Sequence, residues 1–171
     1  MITYRLADSL PQKVLNKLKD LYQENKTDAK QRKYIETMLD AGYGSCILQI
    51  NEIANIVIEN WFYFDSKRYD LIAYVVMPNH VHLLIKTYEK LDLNHIVHSW
   101  KSYTANEIKK ALAGKLPALP ASVWQCDYWD RFIRDENHFN KAIEYIHNNP
   151  VKAGLVNSPE KWNWSSSTET I

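Results

Sequence analysis

Apolar residues recur along this chain at two periods, and the changes from one to the other mark out short strands and amphipathic helices. Ile2 to Leu6 reads as a short strand, closed by the turn-like run Asp8-Ser-Leu-Pro11. Val14, Leu15, Leu18, Leu21 and Tyr22 then recur at helical spacing. Pro11 suits the first turn of that helix, with Ser9 as its N-cap. Asn25 to Asp28 is a polar break, and a second helix follows to about Leu39, ended by Ala41-Gly-Tyr-Gly44. A third helix fits Glu52 to Phe64, with Ile53, Ile56, Val57 and Trp61 on one face. Two strands come next, Arg68–Met77 and Val81–Thr87. They are linked by Met77-Pro78-Asn79, where proline fixes φ and asparagine tolerates unusual dihedrals.

The longest helical pattern runs from Leu91 to Ala113, starting near Asp92 and stopping at Gly114. Leu116-Pro-Ala-Leu-Pro120 reads as a loop. Val123 to Ile133 carries a strand, alternating apolar and polar through Trp129-Asp-Arg-Phe-Ile133. A final helix spans His138 to Asn148 and is stopped by Pro150, and the serine-rich tail after about residue 165 is expected to fray. No linker, repeat or second domain interrupts the pattern, so residues 1–171 are expected to form one domain. Strands separated by helices, with one adjacent strand pair, predict an α+β fold with helices on one face of an antiparallel sheet.

Composition adds mainly exclusions. The 171 residues suffice for a self-supporting core. Lys and Arg number 21 against 20 acidic residues, so bulk charge names no partner. Any nucleic-acid surface must come from local clustering, for which Arg131 and Arg134, with Lys101, Lys109, Lys110 and Lys115, are the candidates. Six Trp and 11 Tyr include many beside basic or amide residues in the second half, where aromatics can stack on unpaired bases or simply pack. Cys46 and Cys126 match no metal or redox spacing. The N-terminus lacks the apolar core of a signal peptide, and no apolar run approaches the roughly 20 residues that span a bilayer. A cytoplasmic protein with no membrane partner is the expectation.

One stretch carries chemistry. His80 and His82 stand two apart on a strand, so both imidazoles project from one face of the sheet. Two neutral imidazoles form half of a divalent-metal site and need at least one further oxygen or nitrogen ligand. The long helix offers Trp100-Lys-Ser-Tyr-Thr-Ala-Asn-Glu107, in which Tyr103 and Glu107 are i and i+4 and share a face. Laid over the histidine strand, that face would supply Glu107 as third ligand, Asn106 being a weaker alternative, and aim Tyr103 at a bound substrate. A tyrosine hydroxyl is a poor nucleophile at neutral pH, its ordinary pKa being about 10. A divalent cation beside it stabilises phenolate and polarises a phosphate oxygen, which suits attack on a phosphodiester. His95 and His98, at i and i+3, read as surface residues rather than a second metal site, His138 and His147 as bracketing the final helix without a partner, and Glu144 as a solvated helix charge.

Four blocks occur in order: Met77-Pro-Asn-His-Val-His82, Trp100-Lys-Ser-Tyr103, Trp124-Gln-x-x-Tyr-Trp-Asp-Arg131 and Tyr145-Ile-x-x-Asn-Pro-Val-Lys-Ala-Gly-Leu155. From about Thr3 to Ser167 the chain resembles the single-tyrosine HUH transposases, particularly the REP-associated tyrosine transposases. The resemblance implies a ferredoxin-like antiparallel sheet of the HUH endonuclease type. It implies His80 and His82 binding Mg²⁺ or Mn²⁺, Tyr103 as nucleophile and Glu107 as the helix-borne metal ligand. It further implies cleavage of single-stranded DNA beside a hairpin, as in repetitive extragenic palindromes, through a 5′-phosphotyrosine and a free 3′-hydroxyl. Glu107 is an acid where relatives often carry an amide. The block Trp-Lys-Ser-aromatic-Thr-Ala is also similar to members whose aromatic is phenylalanine. A nucleophile of that subgroup lies elsewhere, with Tyr128 and Tyr145 as the alternatives.

The expected partners are therefore single-stranded or hairpin DNA, touched through Arg131, Arg134 and Lys101, by a nucleoid-associated monomer or homodimer. The block Asn149-Pro-Val-Lys-Ala-Gly154 reads as a structural clasp, Pro150 stopping the helix and Gly154 permitting a left-handed turn. Two rival readings keep the same residues: a hairpin-binding protein that does not cut, and a metallohydrolase of small phosphodiesters.

Overall fold

The computed structural model describes residues 1–16, 29–88, 91–115 and 122–168, and the side chains of these apart from 29–32. The strands are β1 (Ile2–Arg5), β2 (Tyr69–Val76), β3 (His80–Thr87) and β4 (Trp129–Asp130). Helix α1 begins within 12–16, and α2 (Ala29–Asp40), α3 (Asn51–Phe64), α4 (Leu93–Leu112) and α5 (Glu136–Lys152) follow. The sheet order is β2-β3-β1-β4 and every neighbouring pair is antiparallel. A β-α-β-β-α-β succession with β1 between β3 and β4 is the split βαβ arrangement of the ferredoxin-like fold. The polar break at 25–28, most of the first helix's apolar stripe and the loop at 116–120 lie outside the described residues.

Strand alternation divides the core in two. Ile2, Tyr4, Tyr74, Val76, Val81 and Leu83 pack with Ile53, Val57 and Trp61 of α3 and Trp100 and Ile108 of α4. On the opposite face Ala73, Val75, Met77 and Leu84 pack with Ala142 and Ile146 of α5. Helices thus cover both faces, correcting the one-sided sheet read from the pattern; the apolar runs Leu71–Met77 and Val81–Ile85 are continuous enough to need a cover on each side. Leu10, Val14, Ile35 and Leu39 join α1 to α2 in a third cluster, touched by Trp129.

Four local expectations also change. Of the strand read at 123–133, only Trp129–Asp130 and an isolated bridge from Trp124 to Leu6 pair with the sheet. Between them Lys101 Nζ takes the carbonyls of Cys126 (2.5 Å) and Asp127 (3.4 Å), which removes them from any ladder. Pro150 does not end the last helix but sits inside its final turn, and Gly154, at φ 72°, follows it. Proline removes only one helical donor, which the end of a helix tolerates. The tail is docked through Thr168 rather than frayed. Val76 donates to the Trp164 carbonyl at 2.8 Å, Trp162 Nε1 donates to the Val76 carbonyl at 2.9 Å, and Tyr74 N–H donates to Ser166 Oγ at 3.0 Å. The tail so covers the free edge of β2. At the chain start, Pro11 precedes the helix and buried Ser9 instead accepts from Arg5 at 3.1 Å.

Candidate active site

His80 and His82 stand on β3 on the α5 face, 1% and 2% exposed. Their Nε2 atoms face each other 3.1 Å apart. Each Nδ1 is held from behind. Asn79 Oδ1 lies 2.7 Å from His80 Nδ1, and Thr3 Oγ1, across the β1–β3 register, lies 2.7 Å from His82 Nδ1. The Asn79 amide has a fixed sense, because its Nδ2 donates to the carbonyls of Leu39 (3.1 Å) and Tyr43 (3.0 Å). Its oxygen must therefore accept, so His80 carries its proton on Nδ1 and presents a lone pair at Nε2. In the metal-free site His82 Nε2–H then donates to His80, and Thr3 donates to His82 Nδ1. The threonine hydroxyl can equally accept, which lets His82 move its proton to Nδ1 and free both Nε2 atoms together.

Tyr145 of α5 closes over this pair, its ring 5.3 Å from the His82 ring at 75°. Asn149, one turn on and 1% exposed, has no hydrogen-bond partner for either side-chain atom, and the buried Tyr145 hydroxyl has none either. Asn149 and Glu36 lie close enough to bias the Tyr145 proton without a well-formed bond. Burial first, then Glu36, raises the Tyr145 pKa, and Asp40 adds to the effect. Lys152 ties the assembly together, pairing with Asp40 at 3.3 Å and lying 5.5 Å above the Tyr145 ring. Burial, then His82 and Lys152, holds His80 well below its usual pKa; burial and Lys152 push His82 down to about 3. Both imidazoles are neutral at pH 7, the form in which they ligate a metal.

The donor set fits a divalent cation. Nitrogens 3.1 Å apart match neighbouring corners of a coordination shell with bonds of about 2.1 Å. Among the described residues no three His, Cys, Asp or Glu side chains converge on one point, which turns attention to amide and phenol donors beside the pair. Asn149, buried and unpartnered on α5, is the candidate amide. Buried polar groups without partners are rare and call for an explanation, and a ligand supplies one.

Tyr103 and Glu107 do share a helix face, but not this site. They stand on α4, on the far side of the sheet, and line a groove with Asn60, Tyr63 and Phe64 of α3. Tyr103 is 55% exposed and Glu107 pairs with Lys110 at 2.7 Å. The sheet separates both from the histidines within one chain, because α4 packs where Val81 and Leu83 point. Asn106 belongs to the same helix. Tyr128 donates to Asn94 instead, at 2.5 Å. Lys101 is occupied by the two loop carbonyls, whereas Arg131 and Arg134 are exposed. His147 and His138 do have partners, Ser166 Oγ at 2.8 Å and the Arg134 amide at 3.3 Å. In the sequence alone Tyr145 is only an alternative nucleophile and Asn149 a structural residue, and nothing there marks Thr3 or Asn79 as partners of the imidazoles. Tyr145 and Asn149 carry the same i, i+4 signal that drew attention to Tyr103 and Glu107.

Known proteins share this fold and parts of this sequence. A provisionally named REP-associated tyrosine transposase of Haemophilus influenzae is 25% identical over 103 residues, covering 57% of this chain and 58% of that protein. The REP-associated tyrosine transposase of Escherichia coli K12 is 29% identical over 101 residues, covering 59% of this chain and 56% of that one. The chain thus spans a little over half the length of these curated relatives. A solved REP-associated tyrosine transposase bound to a REP hairpin shares the fold, with a TM-score of 0.58 at 19% identity over 96% of this chain and 73% of that one. The profile of the family described as "Transposase IS200 like" matches residues 30–149, most of the chain, and the protein belongs to that family.

Proposed function

We propose that this chain is a metal-dependent DNA strand-transferase that cuts single-stranded DNA beside a hairpin, with Tyr145 as its nucleophile. The observation that carries the reading is the convergence on one sheet face of the His80–His82 pair, the Tyr145 ring and the unpartnered Asn149 amide. His80, His82 and Asn149 would hold Mg²⁺ or Mn²⁺. Such an ion, when bound, supplies charge that polarises a phosphate oxygen and favours phenolate.

The chain's own residues do the rest. Asn79 and Thr3 orient the imidazoles, fixing which nitrogen faces the site. Helix α5 holds the phenol ring against His82, so little freedom remains to be lost when substrate arrives. The phenol oxygen of Tyr145 forms a bond to phosphorus as the bond from phosphorus to the 3′-oxygen breaks. The proton lost by the phenol is matched by one gained on the departing 3′-oxygen, leaving a 5′-phosphotyrosine and a 3′-hydroxyl. Attack by a 3′-hydroxyl on that ester reverses the step and joins strands. The hairpin substrate rests on the relatives' names and on the hairpin held by the solved relative.

Incubation with hairpin DNA carrying single-stranded flanks and Mg²⁺ or Mn²⁺ tests the reading. A denaturant-resistant protein–DNA adduct is expected, absent in Tyr145→Phe and His82→Ala and retained in Tyr103→Phe. Tight hairpin binding with no adduct under any metal would support the non-cutting alternative.

A further inference from the structure

Phe132, just after the edge strand β4, belongs to none of the core clusters. Phe132 is 82% exposed, more than any other large apolar side chain among the described residues. It is not on a loose loop. On one side Arg131 N–H donates to the Met1 carbonyl at 2.8 Å and the Met1 amino group donates back to the Arg131 carbonyl at 2.8 Å. On the other side Asp135 caps α5, accepting from His138 N–H at 2.7 Å. The backbone therefore holds the ring out in water at a fixed place, with its π-face open to a partner.

The surroundings say which. Phe132 shares a concave surface with Arg131, Arg134 and Lys141, opposed by Asp130 and Asp135, and the latter carboxylate is engaged as the helix cap. None of the three cations makes a salt bridge among the described residues. A bare π-face between unpaired guanidinium and ammonium groups is complementary to a base flanked by its phosphates. The surface also runs toward the candidate active site. Lys141 lies one helical turn, about 6 Å, before Tyr145 on α5. The edge strand that leads to Phe132 pairs Trp129 with Thr3, the residue that orients His82.

We propose that Phe132 is a stacking platform for an unpaired base of the DNA substrate, with Arg131, Arg134 and Lys141 holding the adjoining phosphates. A phenyl ring has no polar atom, so the platform accepts any base and positions the strand without reading its sequence. The inference rests on the DNA reading above and adds to it the point at which the single strand is gripped.

The test uses hairpin DNA with single-stranded flanks in which each unpaired position is replaced in turn by 2-aminopurine, whose fluorescence is quenched by stacking. Wild-type protein is expected to quench one position. Phe132→Ala loses that quench and binds about tenfold more weakly, and Phe132→Trp restores both. The salt dependence of binding stays as in wild type for Phe132→Ala, whereas Arg134→Ala makes it shallower by about one unit of slope. The variants fold, because the side chain is in solvent. Wild-type affinity and quenching in Phe132→Ala, or an effect on self-association in place of DNA binding, would overturn this inference alone. Absence of DNA binding by the wild-type protein would overturn it together with the DNA reading.

Discussion

Asn79→Ala removes three interactions at once and so separates a built site from an incidental histidine pair. The amide donates to Leu39 O (3.1 Å) and Tyr43 O (3.0 Å) and accepts from His80 Nδ1 (2.7 Å), and the residue is fully buried. Each buried polar group left without its partner costs about 1–3 kcal/mol. The Tyr43 carbonyl borders the surface and can regain water, so two groups bear most of the penalty, about 3 kcal/mol in all. For a chain of this size that lowers Tm by roughly 6–12 °C. The site suffers separately. Without Asn79 Oδ1 the His80 proton is free to sit on Nε2, where it blocks metal binding, and Mn²⁺ affinity falls about 10–100-fold. Urea unfolding followed by tryptophan fluorescence, with calorimetric Mn²⁺ titration of the folded variant, measures both. A loss of stability below about 1 kcal/mol together with unchanged Mn²⁺ affinity would refute the reasoning.

Asn149→Ala has the opposite signature. Its amide has no partner to lose, so stability should move by about 1 kcal/mol or less while Mn²⁺ affinity drops, as calorimetry would show. In metal-free protein His82 stays neutral down to about pH 3, while the unfolded chain takes up its proton below about 6.5. Folded stability from this group is complete above that upper value and is lost as pH falls, at roughly 1.4 kcal/mol per unit, or about 2 kcal/mol by pH 5; denaturant curves flat from pH 7 to 5 would contradict this. Gly44→Ala places a Cβ 2.5 Å from the Asp8 carbonyl oxygen at a φ of +90°, and thermal melts should show a loss of about 2–4 kcal/mol. Gly42→Ala, at φ +69° with open space around it, should lose only about 1 kcal/mol.

Local pattern made the βαββαβ order and the histidine face legible. The two apolar runs on either side of the Pro78-Asn79 turn locate β2 and β3 to within two residues, and i, i+2 spacing alone places His80 and His82 together. What stayed hidden depends on contacts far apart in sequence. β4 is short because Lys101, on another helix, takes the carbonyls that a longer strand would need. The second layer of helix is set by α5, whose apolar stripe looked like that of any surface helix. The choice between Tyr103 and Tyr145 turns on which side of the sheet each helix lies. No helix periodicity reports that: both tyrosines stand four residues before a polar partner, and only packing tells them apart. Asn79 and Thr3 likewise look like a turn residue and a strand residue until the hydrogen bonds to the imidazoles appear.

Tyr145, on the histidine face, is expected to form the covalent link to DNA. Trypsin digestion of the adduct followed by mass spectrometry tests it directly, because cleavage after Lys141 and Lys152 isolates Tyr145 from Tyr103 and Tyr128. A nucleotide-phosphate mass is expected on the peptide Ala142–Lys152 and none on Ser102–Lys109. A phosphotyrosine found at Tyr103 or Tyr128, with Tyr145 unmodified, would contradict it.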